Sequence, residues 1–321
     1  MSWPSLGLSL DASALPEDLD RLLRFRWQTP QLGAAALTVT CKPGGLPPRP
    51  QSAPQEITVS NACVPVWTAA AEEGKDELWL GEGLHLRLED TESGLHASVS
   101  VVPEQATEAA WLLALVELQR LSGWLPLHAA TVARLDRTGR VAGHQESVHQ
   151  ETGHSEAVSI TGVSGAGKST AALRLAGAGH TVLAEDQTWV HAASMRVTGL
   201  DRFLRTYADS LERFAPHLRA QAQGTDSYGK LLLPLTPPGE LAQLTEAPQL
   251  RTLLVFGLPD TPTTAEKVRA VWECSGVPLL PRTRQSSAQA VSELMRQLNI
   301  QGTSRESVLS HVNGLLLPEH G

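Results

Sequence analysis

The sequence predicts an α/β fold, a sheet with helices preceded by a small α+β N-terminal domain, and three observations carry the prediction. The run Gly162-Val163-Ser164-Gly165-Ala166-Gly167-Lys168-Ser169-Thr170 has the spacing G-x-x-x-x-G-K-S. A β-type run, Ala157–Thr161, leads into it and a helical run, Thr170–Ala176, leads out, which is the strand–loop–helix context of a phosphate-cradling loop. The first 120 residues read differently, as short alternating strands followed by one helix. Two domains are therefore expected, 1–122 and 123–321.

Along the N-terminal part, Pro16–Leu23 reads as a short amphipathic helix and Leu37–Thr40 as a strand. Pro43 to Pro54 holds five prolines and two glycines and reads as a loop or linker. Glu56–Ser60, Leu84–Leu88 and His96–Val101 alternate as half-buried strands. Glu104 to Ser122 carries Ala109, Leu112, Leu113, Val116, Leu118 and Leu121 at helical spacing and ends before Gly123.

Leu127–Ala133 is the next strand. Leu135 to Glu156 is polar and glycine-bearing, with His144, His149 and His154 five residues apart. Flanked by strands, it reads as the tip of a long hairpin. No cysteine or carboxylate cluster completes a metal-ligand set there, so a solvated loop is preferred over a metal site.

In the glycine-rich loop, the glycines let backbone N–H groups turn inward around a phosphate, and the helix N-terminus adds partial positive charge. Gly162, Ser164, Gly165, Ala166, Gly167, Lys168, Ser169 and Thr170 are the expected nucleotide-binding residues. Lys168 is placed to reach the β- and γ-phosphates, and the Ser169 hydroxyl to hold Mg²⁺. Gly177-Ala178-Gly179-His180 reads as a helix end, and Thr181–Ala184 as a strand ending in Glu185-Asp186. A carboxylate pair at the C-terminal end of such a strand is where a metal and a catalytic base are expected.

Thr188–His191 extends the sheet. Leu200 to Gln223 reads as mainly helical and carries Arg202, Arg205, Arg213 and Arg219, each able to clamp phosphate or to form a solvated basic face. A polar loop, Gly224–Gly229, precedes a strand at Leu231–Pro234. Arg251–Gly257 is a strongly apolar strand, and the end is helical over Ser287–Leu298 and Ser304–Leu317.

Composition narrows the function classes. The chain has 321 residues, a 41% hydrophobic share, a net charge of −8 and a pI near 5.8. An acidic chain without a broad basic face is not expected to bind nucleic acid. Cys41, Cys63 and Cys274 are far apart and odd in number, which suits a reducing cytoplasm better than a disulfide framework. No basic segment followed by an apolar run marks a signal peptide, and no apolar run approaches the length of a membrane span.

Leu125-Pro126-Leu127-His128-Ala129, the loop Gly162–Thr170 and His180-Thr181-Val182-Leu183-Ala184-Glu185-Asp186 occur in one order. This order resembles the C-terminal catalytic domain of HPr kinase/phosphorylase, and more closely the HPr-kinase-like proteins found with peptide-modification clusters. The resemblance covers about residues 124–190. It implies a P-loop sheet akin to phosphoenolpyruvate carboxykinase, transfer of the ATP γ-phosphate to a serine hydroxyl with Mg²⁺, and a homo-oligomer. Carried over by position, Lys168 and Ser169 become phosphate and metal ligands, Glu185 the catalytic base, Asp186 a metal ligand, and His128 the residue that orients the catalytic carboxylate. Glu185 stands where the family has an aspartate. Its extra methylene can shift the base role to Asp186. The Arg-Gly-Leu-Gly type run of the bifunctional enzymes is absent, which argues against phosphorylase activity.

The expected acceptor is a hydroxyl of a peptide, a protein or a small molecule. Two further readings stand beside a peptide or protein kinase: a nucleotide-binding regulator or weak ATPase that transfers nothing, and a kinase of a small molecule such as free serine.

Overall fold

The structure is a computed structural model that describes residues 2–29, 35–59, 62–70, 75–92, 94–133, 156–235 and 247–316. The chain divides into two compact units, Met1–Trp124 with Val277–Gln289, and Leu125–Gly276 with Ala290–Gly321.

The first unit is built on a sheet of eight strands: β1 (Trp3–Ser5), β2 (Leu8–Asp11), β3 (Leu37–Pro43), β4 (Gln55–Val59), β5 (Ala62–Ala70), β6 (Lys75–Leu80), β7 (Leu84–Thr91) and β8 (Gly94–Val101). Their spatial order is β1-β2-β3-β8-β7-β6-β5-β4. β3 runs parallel to both neighbours, and the β8–β7–β6–β5–β4 run is antiparallel. Alternation places Leu37, Val39 and Cys41 of β3, and Ala97, Val99 and Val101 of β8, on the buried side. Helix α1 (Glu17–Trp27) buries Leu23 and Trp27, and α2 (Glu108–Leu121) lies against β5, β6 and β7 through residues that include Trp111, Leu115 and Leu118. Thr107 caps α2 by accepting the Ala110 amide. Buried Glu117 of α2 accepts the amides of Leu279 and Leu280 and the Thr283 hydroxyl, which ties the returning segment into this unit.

The second unit holds β9 (Trp124–Ala133), β10 (Glu156–Thr161), β11 (Thr181–Ala184), β12 (Gln187–His191), β13 (Val197–Gly199), β14 (Phe203–Thr206), β15 (Leu231–Pro234), β16 (Gln249–Phe256) and β17 (Asn299–Thr303). Its helices are α3 (Lys168–Gly177), α4 (Ala208–Phe214), α5 (Thr264–Ser275), α6 (Pro281–Gln297, from Ala290 onward in this unit) and α7 (Val308–Leu316). The main sheet has the order β13-β12-β9-β10-β16-β17, with β11 beside β9, while β14 and β15 form a separate ribbon. β10 is parallel to β16 and antiparallel to β9. One apolar cluster joins Leu127, Leu253 and Val255 to Val271 of α5 and Leu294 of α6. The other joins Val158, Ile160 and Leu254 to Leu173 and Leu175 of α3 and Val312 of α7. Each of these fully buried leucines contributes about 2 kcal/mol.

The fold-class expectation is corrected. The largest sheet is the mixed eight-stranded one of the first unit, not a minor appendage to a P-loop sheet, and a P-loop fold akin to phosphoenolpyruvate carboxykinase or HPr kinase is not shown. In the second unit, the strand that follows the loop helix, β11, pairs antiparallel with β9 rather than extending a parallel set around β10. The expectation failed on short and atypical strands. Pro65 lies inside β5, and β6 opens with Lys75, Asp76 and Glu77, so neither reads as a strand from local pattern. Within the stretch expected to be mainly helical, Phe203–Thr206 is a strand, followed by α4 and a 3-10 turn at Pro216–Gln221. Asn299–Thr303 is a strand that the sequence reading did not mark. The polar hairpin tip with His144, His149 and His154 lies outside the described residues.

Candidate functional site

β10 delivers the glycine-rich loop from the middle of the sheet, since its residues Ala157–Thr161 are buried and paired on both sides. Gly162 has φ +153°, and a Cβ there would stand 2.8 Å from Phe256 Cβ. Gly167 has φ +114° and begins α3. Ala166 N donates to Val163 O at 3.1 Å and closes the turn. The amides of Gly165, Gly167, Lys168 and Ser169 make no hydrogen bond among the described residues. They are orphan donors at a helix N-terminus, an arrangement that favours an anion. Lys168 is buried and its ammonium donates to Gly162 O at 3.0 Å. Burial lowers its pKa, against the raising influence of Asp186 and Glu185.

The paired strands bring the other expected residues to this loop. Ala129 N donates to Asp186 O at 3.2 Å, and Thr161 Oγ1 donates to His128 O at 2.8 Å. His128 therefore sits between the start of the loop and the end of β11. Its Nε2 lies 2.6 Å from Asp186 Oδ1. Ser169 Oγ donates to Glu185 Oε1 at 2.5 Å. Arg205, on β14, donates from Nε to Glu185 Oε2 at 3.0 Å, and its Nη2 lies 3.0 Å from the same oxygen as an ion pair. The two neighbouring carboxylates thus have separate partners, Ser169 and Arg205 for Glu185, His128 for Asp186. The resemblance implied that His128 orients the carboxylate at position 185; the geometry pairs it with Asp186.

Their environments separate them further. Glu185 is 3% exposed, and burial pushes its carboxyl above the usual range although Arg205 and Ser169 pull it down. Burial also pushes Asp186 up, but the His128 hydrogen bond and charge, with Arg205 and Lys168, outweigh it and hold the carboxyl below the usual range. The two adjacent carboxyls are thus driven in opposite directions by their surroundings.

Two cavities flank the loop. One, of about 570 Å³, is lined by residues that include His128, Ser164, Phe256, Arg269 and Glu273. The other, of about 260 Å³, is lined by residues that include Gly167, Thr170, Arg174 and Arg305. Arg305 donates from Nε to Ala166 O at 2.8 Å and from Nη2 to Gly165 O at 2.5 Å, and its own carbonyl accepts Arg174 Nη1 at 2.7 Å. Two carbonyls of the loop, Gly165 O and Ala166 O, are thereby satisfied.

All the expected site residues therefore meet in the second unit. Arg205 was anticipated only as one of four arginines on a presumed helix, while Asp201 and Arg305 carried no local signal. Among the described residues no group of three or more His, Cys, Asp or Glu side chains forms a metal site. Ser169 Oγ and Glu185 Oε1, 2.5 Å apart, are side-chain oxygens of the kind that could take part in holding a hard divalent cation. No family model, no curated protein and no solved structure matches this chain.

Proposed function

We propose that this chain is a Mg·ATP-dependent phosphotransferase that passes the γ-phosphoryl group to a serine hydroxyl of a peptide or protein, in the manner of the HPr-kinase-like serine kinases it resembles. The observation that carries the reading is the ring of unpartnered loop amides around Lys168, set against a carboxylate pair whose two members have different partners. The amides and Lys168 hold the phosphates and neutralise charge on the transferred group. Ser169 and Glu185 would hold Mg²⁺, which would draw negative charge from the phosphate oxygens. Asp186, the more exposed carboxylate, accepts the proton of the acceptor hydroxyl and is kept ionised by His128. The acceptor oxygen bonds to the γ-phosphorus as the bond to the departing ADP oxygen breaks. This exchanges the roles that the resemblance gave to Glu185 and Asp186.

The cavity that includes His128 then receives the acceptor, and the one that includes Thr170 receives the nucleoside. An acidic chain with such a site belongs in the cytoplasm, where ATP is. No helix among the described residues is long and apolar enough to cross a membrane.

A second reading has an observation of its own. The Ser169 hydroxyl is already held by Glu185, as in a regulator that binds nucleotide without turning it over. Incubation with γ-labelled ATP and Mg²⁺ distinguishes the two. Label on a peptide or protein serine is the expected result. Label on a small hydroxyl compound would reassign the acceptor, and tight nucleotide binding with no transferred or released phosphate would favour the regulator. A chain that binds no nucleotide at all would overturn both.

A further inference from the structure

Glu185 and Asp186 lie between β11, which ends at Ala184, and β12, which begins at Gln187. Ala129 N of β9 holds the Asp186 carbonyl from one side, but the strand ladders leave the amides of both residues unpaired, and their side chains must diverge to different partners. The backbone here is folded around a third carboxylate. Asp201 Oδ2 accepts the amides of Glu185 at 2.9 Å, Asp186 at 2.8 Å and Gln187 at 2.8 Å. Three successive N–H groups converging on one oxygen form a concave anion nest, here filled by the protein's own side chain.

Neighbouring packing delivers Asp201 to that point. It follows β13 by one residue, and β13 ends at Gly199. A Cβ at Gly199 would stand 2.0 Å from Leu183 O, so only glycine allows β13 to lie this close to β11. Thr188↔Gly199 pairing in the β12–β13 hairpin then sets Asp201 beneath the turn.

We propose that Asp201 is a positioning residue for the phosphotransfer site. By binding three consecutive amides, it fixes the turn that points Glu185 at Ser169 and Asp186 at His128. It touches neither phosphate nor acceptor and acts only through the two carboxylates it orients. Its charge also contributes to the upward push on Glu185. The proposal rests on the phosphotransfer reading of the site, whereas the nest itself does not.

The test uses the full chain with Asp201→Asn and Asp201→Ala. Asn keeps an acceptor oxygen but loses the charge; Ala removes both. In the wild type, the amide protons of Glu185, Asp186 and Gln187 are expected downfield, as donors to a carboxylate. They should move upfield partly in Asp201→Asn and further in Asp201→Ala. With ATP and Mg²⁺, kcat should fall about tenfold in Asn and about 10²-fold or more in Ala, and the Mg²⁺ concentration needed for half-maximal activity should rise in the same order as Glu185 loses its aim at Ser169. Unchanged amide shifts would overturn the nest. Shifted amides with unchanged kcat, or a loss confined to KM or to thermal stability, would overturn the positioning role. A wild type without nucleotide binding would instead sink the phosphotransfer reading, and the amide shifts would still judge the nest.

Discussion

His128 Nε2 and Asp186 Oδ1 stand 2.6 Å apart because the bond from Ala129 N to Asp186 O ties the β11–β12 turn to β9, the strand that carries His128. The pair has a direct pH consequence. His128 is the largest of the influences that lower the Asp186 carboxyl against the opposing effect of burial. His128→Ala should therefore let that carboxyl rise. A ¹³C titration of the Asp186 carboxyl is expected to move to higher pH in the variant, and the acid limb of kcat/KM to move with it. The group loses its proton as pH rises through its folded pKa, so the variant should need a higher pH than the wild type to reach full activity. A titration that stays in place would break the assignment of Asp186 and His128 as a functional pair.

Lys168 gives the most direct test of the loop. Its ammonium is buried against the loop start, within electrostatic reach of both carboxylates. Lys168→Ala removes the one positive side chain inside the loop and leaves the α3 apolar contacts of Leu173 and Leu175 in place. Phosphotransfer is expected to fall by on the order of 10³, with circular dichroism unchanged. A variant that keeps most of its activity would remove Lys168 from the mechanism.

What could be read from the sequence was contiguous. Gly162 to Thr170 form one loop, so motif spacing alone located it, and the strands Ala157–Thr161, Thr181–Ala184 and Arg251–Gly257 announced themselves as apolar β-type runs, the last observed at Gln249–Phe256. The partners of the two carboxylates were not legible, because each pairing depends on strand register or on residues far along the chain. His128 meets Asp186 only through the β9–β11 pairing. Asp201 reaches the turn through a hairpin, and Arg205 does so because four residues inside an apparently helical stretch pair with β15. Of the N-terminal sheet, the strands expected at Leu37–Thr40, Glu56–Ser60, Leu84–Leu88 and His96–Val101 were legible, and the others were not, for the same reason. Strands such as β1 and β2 are three and four residues long, and neighbours across the sheet give them their stability.

Glu185 carries a stability cost that a substitution can expose. Its pKa is raised in the folded protein, chiefly by burial. The folded chain thus holds that proton more tightly than the unfolded one. Stability falls as pH rises from the ordinary glutamate value to the raised one, and the cost is fully present above it. Glu185→Gln removes the buried charge while keeping an acceptor for Ser169. At pH 7 its melting temperature is expected to rise by about 2–4 °C, while the Mg²⁺ dependence of nucleotide binding weakens. A lower melting temperature would mean that the Arg205 ion pair outweighs desolvation.

The cysteines offer a check on the packing of both units. Cys41 and Cys274 are buried, and burial pushes each thiol up to about 12. Cys63 is exposed, although the Glu56 carboxylate that accepts its S–H raises its pKa too. Titration with a thiol-specific disulfide reagent should show one slowly reacting cysteine in the native chain and all three after denaturation. Cys274 also lines the cavity that includes His128, so rapid reaction of a second thiol in the native state would show either that the reagent enters this cavity or that the core around Cys41 is open.

Arg305 tests whether the loop is held ready or formed by its ligand. Its guanidinium satisfies Gly165 O and Ala166 O, and Arg174 holds the Arg305 carbonyl in turn. Those two carbonyls are held while the amides of Gly165, Gly167, Lys168 and Ser169 have no partner, the state expected of a loop preorganised for an anion. Arg305→Ala removes two hydrogen bonds from a charged donor at an exposed site, where each is worth on the order of 1 kcal/mol. Part of the ordering cost then falls on the ligand. Affinity for a fluorescent ATP analogue is expected to weaken about tenfold, with kcat at saturating ATP little changed, because Arg305 contacts neither carboxylate nor phosphate. Arg305→Lys, which can reach one carbonyl but not both in the same fork, should recover only part of the loss. If Arg305→Ala binds the analogue as tightly as the wild type, the loop is stiff enough without its clamp, and the glycine conformations at Gly162 and Gly167 alone preorganise it.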